Sequence, residues 1–147
     1  MGNKKSILVV GAFMVLLAFF VLGENKLEKK SGGEVRIAGQ VLEVTIADTP
    51  EMQMMGLSGT AGLAEDEGML FIFDQPDAYK FWMKDMLFPI DMIWLDSDKR
   101  VIHIKENAVP ESYPESYGPK EDVLYVLETA AGFTHKYNLK IGDRAEF

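Results

Sequence analysis

Cysteine is absent from these 147 residues, and histidine occurs only twice. Disulfides, thiolate metal sites, cysteine nucleophiles and acylation at a lipoprotein cysteine are therefore excluded. An extracytoplasmic address stays open, because many exported domains hold together without disulfides. Basic residues are also scarce, with 15 Lys and Arg against 23 Asp and Glu. Two of those cations, Lys4 and Lys5, precede the first apolar run, so the chain from Glu24 onward carries a net charge of −10. A phosphate backbone is repelled by such a surface, which argues against nucleic acid as a partner.

What is present divides into three expected regions: a signal anchor or signal peptide over 1–23, a flexible linker over 24–33, and one β-rich domain over 34–147. Lys4-Lys5 followed by the apolar run 7–22 has the form of a positive n-region and a membrane-inserting helix. Sixteen helical residues span roughly 24 Å, short of a hydrocarbon core of roughly 30 Å unless Ser6 and Gly23 join in. No A-x-A cleavage pattern is present, so the run reads as an uncleaved anchor, with a cleaved signal peptide as the alternative. The lysines place the N-terminal end in the cytoplasm and the domain outside it. That expects a single-pass protein of the cell membrane, or a secreted or periplasmic one if the helix is cut. The tether ENKLEKKSGG spans on the order of 18 Å as a coil.

Beyond the tether, alternation at Val35, Ile37, Leu42, Val44 and Ile46 predicts a hairpin turning at Gly39-Gln40. Thr49-Pro50-Glu51 is a helix start, with a hydroxyl cap, proline at the first position and an acid near the dipole. The uniformly apolar run 69–73 suggests a strand buried on both faces, ended by a turn at Gln75-Pro76-Asp77. Residues 78–86 alternate, with Tyr79, Phe81, Met83 and Asp85 on one face and Lys80, Trp82, Lys84 and Met86 on the other. Phe88-Pro89 predicts a kink. Residues 91–95 and 100–104 form a second hairpin, 123–127 a further strand, and 132–137 one or two helical turns closed by Asn138. The sum is a mainly β fold: an antiparallel sandwich or partly open barrel with one or two short helices.

Taken in order, Gly56-Leu57, Gly68-Met69-Leu70-Phe71, Phe81-Trp82-Met83-Lys84, Pro89-Ile90-Asp91, Val126-Leu127-Glu128, Gly132 and Ile141-Gly142-Asp143 form a recurring set. On these motifs the chain, from about residue 41 to its end, resembles the family known as domain of unknown function 192. The resemblance implies a small, mainly β fold, often exported, with no established catalysis or ligand. Two departures stand out. The family commonly has W-M-[KR]-N-T where this chain has Asp85 and Met86, and an Arg often follows G-L-S-G where Thr60 stands here.

The polar cluster that sequence singles out is Lys84, Asp85 and Asp91 among Trp82, Phe88 and Trp94. A charge among aromatics must be paired, so a Lys84–acid pair is the structural reading. The functional reading is a recognition patch, with Trp82 stacking on a ligand ring while Lys84 and Asp91 orient its polar groups. The long connection 105–122 holds a tandem Pro-Glu-Ser-Tyr repeat whose Tyr113 and Tyr117 either flank that patch or pin the loop to the sheet. These residues point to a non-catalytic, membrane-tethered binding or accessory module without a cofactor. Envelope carbohydrate or an envelope protein is the expected partner. The alternatives are a small hydrolase using Asp85, Asp91 or Glu128, a structural partner of a membrane complex, and a Cu(I) binder built on Met52, Met54 and Met55.

Overall fold

A computed structural model describes residues 32–147; the anchor expected at 1–23 and all but the last two residues of the tether lie outside them. No helix among the described residues is long and apolar enough to cross a membrane. The first alternating stretch folds as β1 (Gly32–Ile37) and β2 (Gln40–Ala47), paired antiparallel. Its turn is Ala38-Gly39 rather than Gly39-Gln40, with φ of 50° and 72°. Two successive left-handed residues give the tight hairpin turn whose twist matches that of the strands.

Thr49 caps α1 (Pro50–Met55) by accepting a hydrogen bond from the Met52 N–H at 3.3 Å, as its hydroxyl and the following proline predict. The connection then continues over one face of the sheet before entering β3 (Glu67–Asp77), which lies parallel to β2. A crossover this long returns the chain in its original direction, so the sheet is mixed rather than antiparallel throughout. β3 runs on through Pro76 instead of turning at Gln75, and its register against β8 (Val123–Ala130) shifts between Ile72 and Asp77. An irregularity of this kind is where a strand tolerates proline.

Only Phe81–Trp82 of the predicted strand at 78–86 is strand, here β4, and it pairs with β7 (Ser116–Tyr117) in a separate ribbon. β5 (Ile90–Leu95) and β6 (Val101–Ala108) form the second hairpin, and a 3₁₀ turn at Pro110–Ser112 follows. The Asp96 and Asp98 pair builds that hairpin's loop, because Asp96 Oδ1 accepts from the Asp98 and Arg100 N–H groups at 2.9 Å each. The main sheet is therefore six-stranded, in the order β1-β2-β3-β8-β5-β6. It is one mixed sheet, curled so that the tail reaches both of its edges, neither a two-sheet sandwich nor a fully closed barrel.

Two apolar clusters cover the two faces of the sheet. Val35, Leu42, Val44, Leu70, Ile93 and Leu127 lie on one, beneath α2 (Phe133–Lys136) and the C-terminal tail. Met69, Phe71, Met92, Trp94 and Val126 lie on the other, beneath Leu57, Met83 and Met86 of the connecting segments. The predicted terminal edge strand is reduced to two bridges, Arg36 with Glu146 and Arg100 with Arg144. The tail thus bonds both edges of the sheet and shields strands that would otherwise offer open ladders.

Asp91 fixes the tail side. It is fully buried on β5, and its Oδ1 accepts from the Asn107 N–H at 2.8 Å and the Gly132 N–H at 3.2 Å. Its Oδ2 accepts from the N–H and hydroxyl of Thr134, at 2.9 and 2.6 Å. Asn107, at φ 47°, sits in a bulge where the β5–β6 register shifts between Ile90 and Met92. One carboxyl thus ties a bulged strand to the start of α2. Asp91→Ala leaves the buried Thr134 N–H and the partly buried Asn107 and Gly132 N–H groups without their acceptor, the buried one alone at about 1–3 kcal/mol. It is expected to lower unfolding free energy by roughly 3 kcal/mol or more in urea titrations, and a loss under about 1 kcal/mol would contradict this role.

Candidate functional site

Successive residues of a strand face opposite sides, so β8 sends Leu127 to the tail side and Glu128 to the other. Glu128 stands opposite Met69 of β3 and Met92 of β5. Its side chain is therefore seated among thioethers in the middle of the sheet, only 4% exposed. Gly68, across from this segment, is required by the close approach: a Cβ there would lie 2.7 Å from the Glu128 carbonyl oxygen.

Above Glu128 opens a cavity of about 160 Å³ whose walls include Phe71, Phe73, Phe81 and Trp82, with Met55 and Lys84 among its other lining residues. Phe81 meets Phe71 edge-on at 4.8 Å, and Phe73 stacks on Tyr79 at 3.6 Å. Gln53 docks α1 against this wall by donating to the Ile72 carbonyl at 2.7 Å. Gly56 closes α1 at φ 51°, a backbone conformation that favours glycine, beside the Phe71 ring. The Gly56-Leu57-Ser58-Gly59 motif then clasps the opposite wall. The Ser58 hydroxyl donates to the Lys84 carbonyl at 3.0 Å, and the Gly59 N–H donates to the Asp85 carbonyl at 2.9 Å.

The residues singled out in the sequence separate here. Trp82 and Tyr113 come together, edge to face at 5.7 Å, with the indole 53% exposed beside the cavity. Lys84 is exposed at the same cavity. Asp85 is exposed in the turn at φ 56°, a left-handed position that Asn and Asp tolerate. That position accounts for the Asn-to-Asp departure in terms of backbone. The turn also breaks the expected alternation, so Met86 is buried while Asp85 points out.

Tyr117 belongs to the ribbon instead: it pairs with Phe81, donates to Glu115 at 2.9 Å, and lies under Lys105. Asp91 faces the tail side of the sheet, so the expected Lys84–Asp91 pair does not form, and Asp91 and Glu128 cannot act together across one cleft. Pro89 leads into β5, Gly132 and Gly142 hold φ of 88° and 97°, and Asp143 Oδ2 caps its own turn by accepting from the Lys140 N–H.

Glu128 differs from every other acid among the described residues. Its Oε2 is sealed from solvent and has no hydrogen-bond partner among the described residues. Burial alone pushes its carboxyl up from 4.5 to about 8, so at neutral pH it stands as a neutral acid at the cavity. Tyr79 is also raised, first by burial and then by Asp77 and Asp74.

The Glu128 shift has a stability consequence. The folded state keeps a proton that the unfolded chain releases near pH 4.5, so stability is full below that pH and declines until about pH 8. Glu128→Gln, the neutral isostere, is expected to match the parent protein at pH 4 and to exceed it progressively up to pH 8. Parallel thermal melts across that range check this, and a constant gap between the two proteins would contradict it.

Comparison with known structures follows the same outline. A crystal structure of a protein of unknown function from Novosphingobium aromaticivorans DSM 12444 is 32% identical, with a TM-score of 0.75 over 79% of this chain and 85% of that one. A crystal structure described as a putative transcription regulator from Sinorhizobium meliloti 1021 is 36% identical, with a TM-score of 0.73 over 78% of this chain and 92% of that one. No protein of curated function matches. The model of domain of unknown function 192, an uncharacterised ACR family, matches residues 33–147, and the chain belongs to that family.

Proposed function

We propose that this protein is a non-catalytic binding module held at the membrane by residues 7–22, with its β domain outside the cytoplasm and its ligand in the Glu128 cavity. The observation that carries the binding reading is the partnerless Glu128 oxygen beside an open, aromatic-walled cavity. Native folds rarely leave a buried polar atom unmatched, and a bound group supplies the missing partner once the carboxyl turns its sealed oxygen toward the cavity. Catalysis is disfavoured because the other two candidate acids stand elsewhere, Asp85 in an exposed turn and Asp91 on the far face.

The cavity's size narrows the ligand. About 160 Å³ is close to the volume that holds a benzene ring, and it is well below the roughly 300–1,000 Å³ typical of drug-sized ligand pockets. It takes a single head group or side chain, not a polymer. Envelope carbohydrate, as a partner, would then rest its ring on the exposed Trp82–Tyr113 pair, with one substituent entering the cavity. A role resembling that named for the Sinorhizobium neighbour is disfavoured by the net charge of −10 from Glu24 onward, which repels DNA.

Two measurements test this. Fragments of five to ten heavy atoms and short glycans, screened by NMR against the full chain in detergent, are expected to shift resonances of Phe71, Trp82 and Glu128. Trp82→Ala is expected to weaken the best ligand about tenfold, the loss of one aromatic contact of about 1.4 kcal/mol. A screen without any shift at these residues contradicts the binding reading. For the tether, a protease added outside intact cells is expected to digest the β domain; full protection with the outer face accessible would contradict that orientation.

A further inference from the structure

The chemistry of the cavity specifies its occupant further. Resting on the reading of this cavity as a binding site, we propose that it takes an organic ammonium group on a short alkyl stem, paired with the Glu128 carboxyl and enclosed by the aromatic walls. Three other ligand types fit the residues less well. A wholly apolar ligand leaves Oε2 unmatched, a carboxylate ligand sets two acids against each other, and a sugar ring brings more hydroxyls than the walls can satisfy. An ammonium supplies N–H donors to the acid, while Phe71, Phe73, Phe81 and Trp82 cover its alkyl carbons and attract its charge through their ring quadrupoles. The net charge of −10 draws cations toward the domain as a whole.

The charges facing Glu128 permit this. The other titratable residues sharing the cavity are Tyr79, Lys80 and Lys84. Lys80 turns its Nζ away, donating to the Gly118 carbonyl at 2.6 Å and to the Pro119 carbonyl. Lys84 is exposed, so solvent screens its charge. The flanking strands present Met69 and Met92, the turn at 83–86 contributes Met86 along with Lys84, and α1 contributes Gln53, Met54 and Met55.

Binding also moves a proton. The ammonium enters with its charge, the Glu128 carboxyl releases its proton to solvent, and an N–H···O bond forms with no covalent change. One proton leaves per ligand below about pH 8, so affinity rises about tenfold per pH unit up to that point and then levels off. The source is either a free amine or a lysine side chain of a partner protein, since both offer the same head and stem.

Isothermal titration of the full chain in detergent distinguishes these outcomes, using butylammonium chloride, a capped Gly-Lys-Gly peptide and butan-1-ol as the neutral isostere. Butylammonium is expected to bind about tenfold tighter at pH 7 than at pH 6 and to release one proton, read from buffers of different ionisation heat. Glu128→Gln is expected to abolish that pH dependence and to weaken butylammonium at least tenfold at pH 8, while butan-1-ol binds as before. If the lysine peptide matches butylammonium with the same proton release, the source is a partner's lysine; if it does not bind, the source is a free amine. Equal binding of butan-1-ol and butylammonium at pH 8, or ammonium binding without proton release, overturns the inference but leaves the cavity a binding site. If none of the probes gives a binding heat and the NMR screen of fragments and glycans also shifts no resonance of Phe71, Trp82 or Glu128, the binding reading falls as well.

Discussion

Two carboxyl groups, neighbours in register near the middle of one sheet, meet opposite fates, and the difference organises the molecule. Asp91 and Glu128 stand on adjacent strands, with Asp91 opposite Thr129 and Glu128 opposite Met92. Because side chains alternate, one carboxyl enters the tail side and the other the side covered by the connecting segments. Asp91 gathers four donors and holds a bulge and a helix start in place. Glu128 gathers none for its inner oxygen and is left as a neutral acid. The first acid stabilises the fold, whereas the second is tolerated by it.

That tolerance makes Glu128 informative. An unmatched buried polar atom destabilises a fold by about 1–3 kcal/mol, and leucine in its place would remove the penalty. The surroundings do nothing to relieve it. Met69 and Met92 flank the strand position, and the α1 loop and the 83–86 turn are clasped to each other through Ser58 and Gly59. The clasp fixes the walls of the cavity and the bearing of Trp82 in a single arrangement. Four elements distant in sequence therefore surround one unsatisfied group, the arrangement on which the proposed binding site rests.

Much of this architecture was legible in the residues, because it rests on local rules. Thr49-Pro50 announces α1, alternation announces the first hairpin, two runs about the polar loop 96–99 announce the second, and the unbroken apolar run at 69–73 announces a strand covered on both sides. The departures arise where distant partners decide. The parallel pairing of β2 and β3 depends on where a crossover lands, and Pro76 is carried within a strand by a register shift. Asp85 turns outward because its backbone is left-handed, which ends the alternation that set Met86 on the face of Trp82 and Lys84.

The site was half legible. Trp82, Tyr113 and Lys84 stand out in the sequence by aromatic character and charge; Trp82 and Lys84 line the cavity, and Tyr113 packs on Trp82. Asp91 was grouped with them by sequence proximity, but its donors come from Asn107, Gly132 and Thr134, which only tertiary structure brings near. Glu128 carries its own signal in the sequence: a lone acid following Val-Leu-Tyr-Val-Leu in a strand dense enough to be buried. The aromatic wall from β3 was read as core, and the cavity makes it lining as well.

Direct titration of the Glu128 carboxyl tests this account most closely. With selective ¹³C labelling of glutamate and assignment through Glu128→Gln, the side-chain carboxyl signal can be followed from pH 3 to pH 10. A midpoint near 8 is predicted, set by burial without a partner. A midpoint near the ordinary 4.5 would show a solvated or paired group, and the proposed site would lose its basis.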